Sequence, residues 1–289
     1  MTTSVADRVT PIDIGIVAFA TDYGPPPTDL GRAVEERGFH SLFLTEHTHI
    51  PASRLTPLPA GGDLPRRYAH TFDPYVALSA ISAVTARIRL GTGVSLVAQH
   101  DSIILAKAIA SLDKISNSRI EIGIGAGWNV EEAANHGVAT SRTARMLETV
   151  EAMRAIWTSE NAEFHGQFID FDPIWSWPKP NSMPPILIGG NGPTAIDRVM
   201  AHGDGWMPLR VSHDRLDGFT PRIRELRDRC ADAGRPPIPI TVYGATATHE
   251  AVAAYADSGV QRILFELADH DDDSEAVYHE LDSLAELIL

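Results

Sequence analysis

Cysteine is almost absent: Cys230 stands alone in 289 residues, which excludes a framework of disulfides within the chain. Lysine is nearly as scarce, found only at 107, 114 and 179, so arginine carries most of the positive charge. Positive charge is itself in deficit. A formal net charge of -14 at pH 7 argues against nucleic acid or an anionic membrane surface as a partner, yet leaves room for a small anion held by a few local donors. No apolar run reaches the length of a membrane span, and the opening residues MTTSVADRVTP lack the basic and apolar regions of a secretory signal. The expectation is a cytoplasmic protein acting on small molecules. Low-complexity linkers and internal repeats are missing as well, so residues 1–289 are expected to form one domain.

What is present is an alternation. Short apolar, β-rich runs at 12–18, 41–45, 88–94, 119–124, 185–188, 205–207, 238–243 and 261–265 are separated by longer amphipathic stretches such as 28–37, 73–85, 102–115 and 142–157. Asp101 and Ser102 open the third of these in the manner of a capped helix. Eight strand–helix units predict a parallel sheet, and eight is the number that closes a (β/α)8 TIM-type barrel. An open, doubly wound sheet is the alternative that the same alternation allows. Two stretches interrupt the pattern: a loop rich in Pro and Gly at 51–67, and 162–172, where Phe164-His-Gly-Gln-Phe168 predicts a hairpin turn. Both are expected as insertions on the C-terminal face, where barrel active sites are built, and as lids over a site.

Glycine marks three strand ends. Gly91-Thr-Gly93 closes the third apolar run before Val94 and Ser95, and Gly123, Gly125 and Gly127 lead to Trp128 after the fourth. Bare backbone at a strand mouth lets a flat ring or substrate approach closely. The spacing is not that of a dinucleotide fingerprint, so a Rossmann site is disfavoured. After the fifth run, Gly189, Gly190, Asn191 and Gly192 precede a Pro at the first turn of a helix, the anatomy of an anion site. Glu46 and His47 follow the second run directly, and His is the usual acid or base near neutral pH. His47-Thr-His49 also has the spacing of paired metal ligands in barrel hydrolases, but later strand ends supply no matching ligands, so no metal is expected.

These segments together resemble the luciferase-like monooxygenase superfamily, and more closely its actinobacterial branch dependent on the deazaflavin coenzyme F420. The likeness rests on Gly38-Phe-His-Ser-Leu-Phe-Leu-Thr-Glu-His47, Ile88-Arg-Leu-Gly-Thr-Gly-Val94, Leu105–Asp113, Ser118–Asn129, 145–157, Pro185–Gly190 and Gly203-Asp-Gly-Trp206. It covers most of the first 210 residues, and only the pattern continues beyond. The resemblance implies a barrel that holds a tricyclic ring at its C-terminal mouth, with a non-prolyl cis peptide at Gly93–Val94 behind the ring and Ser95, Gly125 and Gly127 nearby. It further implies Glu46 at the polar edge of the ring, His47 beside the reacting carbon, and Gly189 to Gly192 on the cofactor phosphate. Arg210, Arg66 and Arg67 would meet further anionic groups of an F420 tail. Sugar-phosphate dehydrogenases of the superfamily carry a Glu where this chain has Trp128, which points to an apolar or unsaturated substrate walled by Trp128, Trp175 and Trp177. Hydride transfer with F420 is the activity so implied; the alternative is an FMN-dependent monooxygenase using reduced flavin and oxygen, fed by a separate flavin or F420 reductase. A flavin-holding protein without turnover is disfavoured, because all eight units and His47 are kept. Relatives of this kind form homodimers, and the same is expected here.

Overall fold

Alternating β-branched and apolar residues make the strands, and the same residues decide what the strands can surround. A computed structural model of the protein describes residues 12–138 and 140–288. In chain order the elements are β1 (Asp13–Ala18), α1 (Pro27–Glu36), β2 (Ser41–Leu44), α2 (Pro74–Ser82), β3 (Arg89–Ser95), α3 (Ser102–Ser116), β4 (Ile120–Ile124), α4 (Val130–Asn135) and α5 (Arg142–Thr158). They continue with β5 (Ala162–His165), β6 (Asp170–Ile174), β7 (Ile186–Gly189), α6 (Ala195–His202), β8 (Gly205–Met207), α7 (Leu216–Asp232), β9 (Thr241–Tyr243), α8 (His249–Ser258), β10 (Arg262–Glu266) and α9 (Ser274–Ala285). No helix among the described residues is long and apolar enough to cross a membrane.

Eight parallel strands lie in the order β8-β7-β4-β3-β2-β1-β10-β9. Two bridges, Trp206 with Ile240 and Leu209 with Tyr243, join the two outer strands and close the ring. The closed barrel expected from the alternation is therefore what forms, and the open sheet is not. Closure at β8–β9 is the thinnest seam, since β1 and β10 alone share five paired residues.

The barrel interior is filled by large side chains set against glycines of the neighbouring strand. Phe43, Leu187, Met207, Tyr243, Leu264 and Val17 form the inner cluster. A Cβ on Gly123 would come within 2.2 Å of the Thr92 carbonyl oxygen and 2.9 Å of Met207, so close backbone approach fixes glycine there. The N-terminal end is plugged by ions: Arg262 donates twice to Glu121, Arg89 Nε donates to it at 2.8 Å, and the Arg262 guanidinium lies 4.9 Å over the Phe43 ring. With that end sealed, access is left to the C-terminal mouth.

Asp101 caps α3 by accepting from the amides of Ile103 and Ile104, as its sequence position predicts. The hairpin also forms, as antiparallel β5 and β6 with a tight turn at Gly166. Its place differs from the expectation. The pair follows a helix, not a strand, and packs along α5, where Glu148 accepts from the amides of Phe168 and Ile169. A segment that leaves a helix C-terminus starts on the far side of a barrel from the active face, so this insertion is no lid.

Candidate active site

One cavity of about 610 Å³ opens at the C-terminal mouth, walled by residues from β3, β7 and β9, by α6 and by the segments that follow β1, β2, β3, β4, β7 and β8. Of the residues singled out from sequence, Glu46, His47, Gly93, Val94, Gly125, Gly127, Trp128, Gly189 and Gly190 line it together. The long loop contributes Leu58, Pro59 and Ala60, so this insertion does cover the site. Val94 also packs against the inner cluster, and the peptide joining it to Gly93 is cis. A Cβ on Gly125 would stand 2.6 Å from Val94 Cγ2; the floor exists because that side chain is missing.

Glu46 and His47 are sequence neighbours with opposite surroundings. The Glu46 carboxylate turns behind the wall and is buried, accepting from Ser95 Oγ at 2.7 Å, the Leu96 amide at 2.6 Å and His100 Nε2 at 2.6 Å. Burial alone pushes this carboxyl upward, but His100, Ser95 and the Leu96 amide together hold it below its ordinary value. Tyr75 donates to Ser95 Oγ at 2.8 Å and extends the network. Ser95 thus stands behind the wall and supports Glu46. The expected contact of Glu46 with a ligand edge is limited by the same geometry, since three donors already occupy its two oxygens.

His47 faces the cavity. Its Nδ1 lies 2.8 Å from Glu132 Oε2, and Thr71 Oγ1 fixes its carbonyl at 2.9 Å. The Glu132 carboxylate is fully buried and selects the tautomer with the proton on Nδ1, leaving Nε2 to the cavity. Tyr68 and Trp128 pack at ring distances of 5.3 and 5.9 Å from the imidazole. Glu132 escaped the sequence reading because it sits in the first turn of α4, capped by Asn129, where an acidic residue is ordinary.

The loop after β7 is held with its carbonyls turned away. Trp206 Nε1 donates to Gly190 O, Arg222 donates to the carbonyls of Asn191 and Gly192, and the Asn191 side chain bridges both backbone groups of Leu209. Asn191 and Gly192 therefore shape the loop while Gly189 and Gly190 face the cavity. Arg198, one turn into α6, lines the same end, and its Nε is buried with no partner. A cation one turn after a Gly-rich strand end is a signal the sequence did contain.

Other expectations do not hold. Trp175 and Trp177 are 80% and 59% exposed and lie on the outer flank, where Trp177 O accepts from Lys107 of α3; they wall nothing in the cavity. Arg66 pairs with Asp272 at the surface. Arg67 is taken up by the Glu266 carboxylate and does not line the cavity; Arg210 shares that carboxylate and is the one of the three arginines that does line it. Phe19 and Tyr243, both at barrel strand ends, join the lining without having been anticipated.

The luciferase-like monooxygenase family model matches residues 26–282. The chain belongs to that family. It is 42% identical over 275 residues to an uncharacterized protein of Mycobacterium tuberculosis, covering 92% of this chain and 95% of that one. It is 32% identical over 232 residues to an F420-dependent glucose-6-phosphate dehydrogenase of Nakamurella multipartita, covering 78% and 64%. Among solved structures, an F420-dependent secondary alcohol dehydrogenase in complex with an F420-acetone adduct superposes with a TM-score of 0.76 at 17% identity, over 96% of this chain and 98% of that one. At that identity the likeness speaks for the barrel alone, and the (β/α)8 fold of this luciferase-like chain agrees with it.

Proposed function

We propose that this luciferase-like protein is an oxidoreductase that binds the deazaflavin F420 and moves a hydride between it and a small organic substrate. The observation that carries the reading is His47, buried at the cavity wall with Nδ1 held by Glu132 and Nε2 left to the interior. The similarity to an F420-dependent dehydrogenase supports it.

The residues present fit such a group. The cavity is wide, largely apolar, floored by glycine, and carries an unpartnered guanidinium nitrogen at one end. Gly189, Gly190 and Arg198 would hold the phosphate, with Asn191 and Gly192 shaping the loop, and Gly93, Val94, Gly125 and Gly127 would support the ring. When bound, a deazaflavin supplies the carbon that gives or takes the hydride. His47 Nε2 would hold or release the paired proton at the substrate heteroatom, while Tyr68 and Trp128 keep water from that nitrogen. Glu132 fixes the tautomer that makes Nε2 the acceptor. Replacing His47 by Ala is expected to lower the rate about 10²–10⁴-fold; an unchanged turnover would remove it from the chemistry.

The test of the whole reading is a parallel fluorescence titration of the purified protein with F420 and with FMN. Tighter binding of F420 supports hydride transfer. Preference for FMN moves the reading to a monooxygenase using reduced flavin from a separate reductase, which the family name also accommodates.

A further inference from the structure

The protein as a whole is strongly acidic, but the charged side chains left with open valences in its cavity are two arginines. Arg198 marks the end next to Gly190. Arg210, which follows β8, lines the cavity as a second guanidinium. Arg210 Nε and Nη2 grip Glu266 at 2.7–3.1 Å, and Arg67 Nη2 takes the same carboxylate at 2.9 Å. Two guanidiniums share one carboxylate, so a full positive charge stays uncompensated. The Arg67 side chain is 15% exposed, whereas that of Arg210 is 50% exposed and lines the cavity, with Nη1 unpartnered among the described residues.

The backbone there is unusual. Arg210 has φ +48, a left-handed conformation unusual for a residue with a side chain, and its amide donates to Tyr243 O at 2.7 Å. Such outliers persist where the surroundings impose them, and they cluster at ligand sites. Beneath it, Gly244 has φ +64, and a Cβ there would lie 2.9 Å from Arg210 Cγ. The Tyr243 hydroxyl has no partner among the described residues; burial, with Glu266 nearby, pushes it well up and keeps it a donor.

We propose that Arg210, with Tyr243, forms a carboxylate subsite separate from the Gly190–Arg198 anion end, and that the substrate is an organic acid bound by this group. Glu266 and Arg67 set the fork of Arg210 so that Nη1 points to the ligand side. The proposal rests on the cavity being the cofactor and substrate site described above, and it refines the apolar or unsaturated substrate implied by the resemblance to one that is apolar in body and anionic at one end.

Calorimetric titration of the F420-loaded protein with benzoate, and with benzamide as the neutral shape match, tests it. Benzoate is expected to bind about 10–100-fold more tightly than benzamide, the range of a charge-assisted contact. Arg210→Gln should abolish that preference and leave F420 affinity within about twofold, whereas Arg198→Gln should weaken F420 and keep the preference for benzoate. Arg210→Lys, with the charge but not the fork, should keep a reduced preference, and it serves if the Gln variant does not fold. Equal binding of the two probes, or a preference that survives in Arg210→Gln, overturns the subsite. If Arg210→Gln weakens F420 about tenfold but spares the deazaflavin lacking phosphate and tail, the carboxylate belongs to the cofactor tail and the substrate assignment falls. If F420 fails to bind but the benzoate preference still depends on Arg210, the cofactor reading fails and the carboxylate subsite stands.

Discussion

Glu46 and His47, just past the end of β2, take different tasks although one peptide bond joins them. His47 was legible because a His at a strand mouth has few structural uses. Its partner was not, because Glu132 lies 85 residues away and looks locally like any acidic residue in a first helical turn. Glu132→Gln keeps the shape but weakens the pull on the Nδ1 proton. We expect it to lower kcat about 10–100-fold with little change in KM, less than loss of His47 itself; steady-state kinetics across pH separates this from a packing defect. The Glu46–His100 pair offers a test that needs no substrate. Glu46 is held below its ordinary 4.5, with burial opposed by His100, so its contribution is present above that pH and is lost as pH falls. His100 is raised above 6.5 because Glu46 outweighs its burial, so its contribution is present below that pH and lost as pH rises through the raised value. The pair therefore stabilises most between about 4.5 and 6.5. Glu46→Gln should lower the melting temperature most in that window, and a uniform loss at all pH values would contradict the linkage.

Elements were easier to find than to place. All eight barrel strands fall within a few residues of their apolar runs, since a strand buried on both faces declares itself as a continuous apolar segment. The β5–β6 hairpin was visible too, but its side of the barrel depends on whether a strand or a helix precedes it. Trp175 and Trp177 were misplaced for that reason. Trp175→Ser and Trp177→Ser should leave cofactor affinity unchanged in the fluorescence titration, whereas Trp128→Ala should weaken ligand binding; a loss from the flank variants would restore them to the site. Helix ends hold a device that sequence conceals. Buried Arg119 spends its guanidinium on the carbonyls of Ser82, Thr85, Ile88 and Ser116 and on Thr85 Oγ1, tying the end of α2 to that of α3 without any carboxylate. Arg119→Met would leave those acceptors dry, at about 1–3 kcal/mol for each one that water cannot reach. Urea unfolding should show a total loss of about 3 kcal/mol or more.

At the scale of the molecule, the closed ring and the plugged base are both made by partners far apart in sequence. Glu121 and Arg262 are separated by 141 positions, so no local pattern announced the plug. Burial raises the Glu121 carboxyl, but Arg262 and Arg89 outweigh it and hold it at about 2, against an ordinary 4.5. The stability this confers, on the order of 3 kcal/mol, is complete above 4.5 and disappears as pH falls toward 2. Glu121→Gln leaves two arginines at the base without their carboxylate, and the expected cost at neutral pH is about 3–5 kcal/mol by thermal or denaturant melting. The variant should also lose less stability than the parent on acidification.

The β8–β9 seam has a dynamic consequence. Its edges are fastened by the Trp206–Ile240 and Leu209–Tyr243 bridges, with the Arg210 amide on Tyr243 O and the Tyr243 amide on Pro208 O. A ring opens at its clasp, so these amides should take up solvent deuterium sooner than those of β1 and β10, whose ladder is continuous. Arg210 and Tyr243 are also the two sides of the clasp that face the cavity. A ligand touching both would sew the edges together, and occupancy would then be written in the backbone as slowed exchange at 210 and 243, even for a molecule that is never turned over.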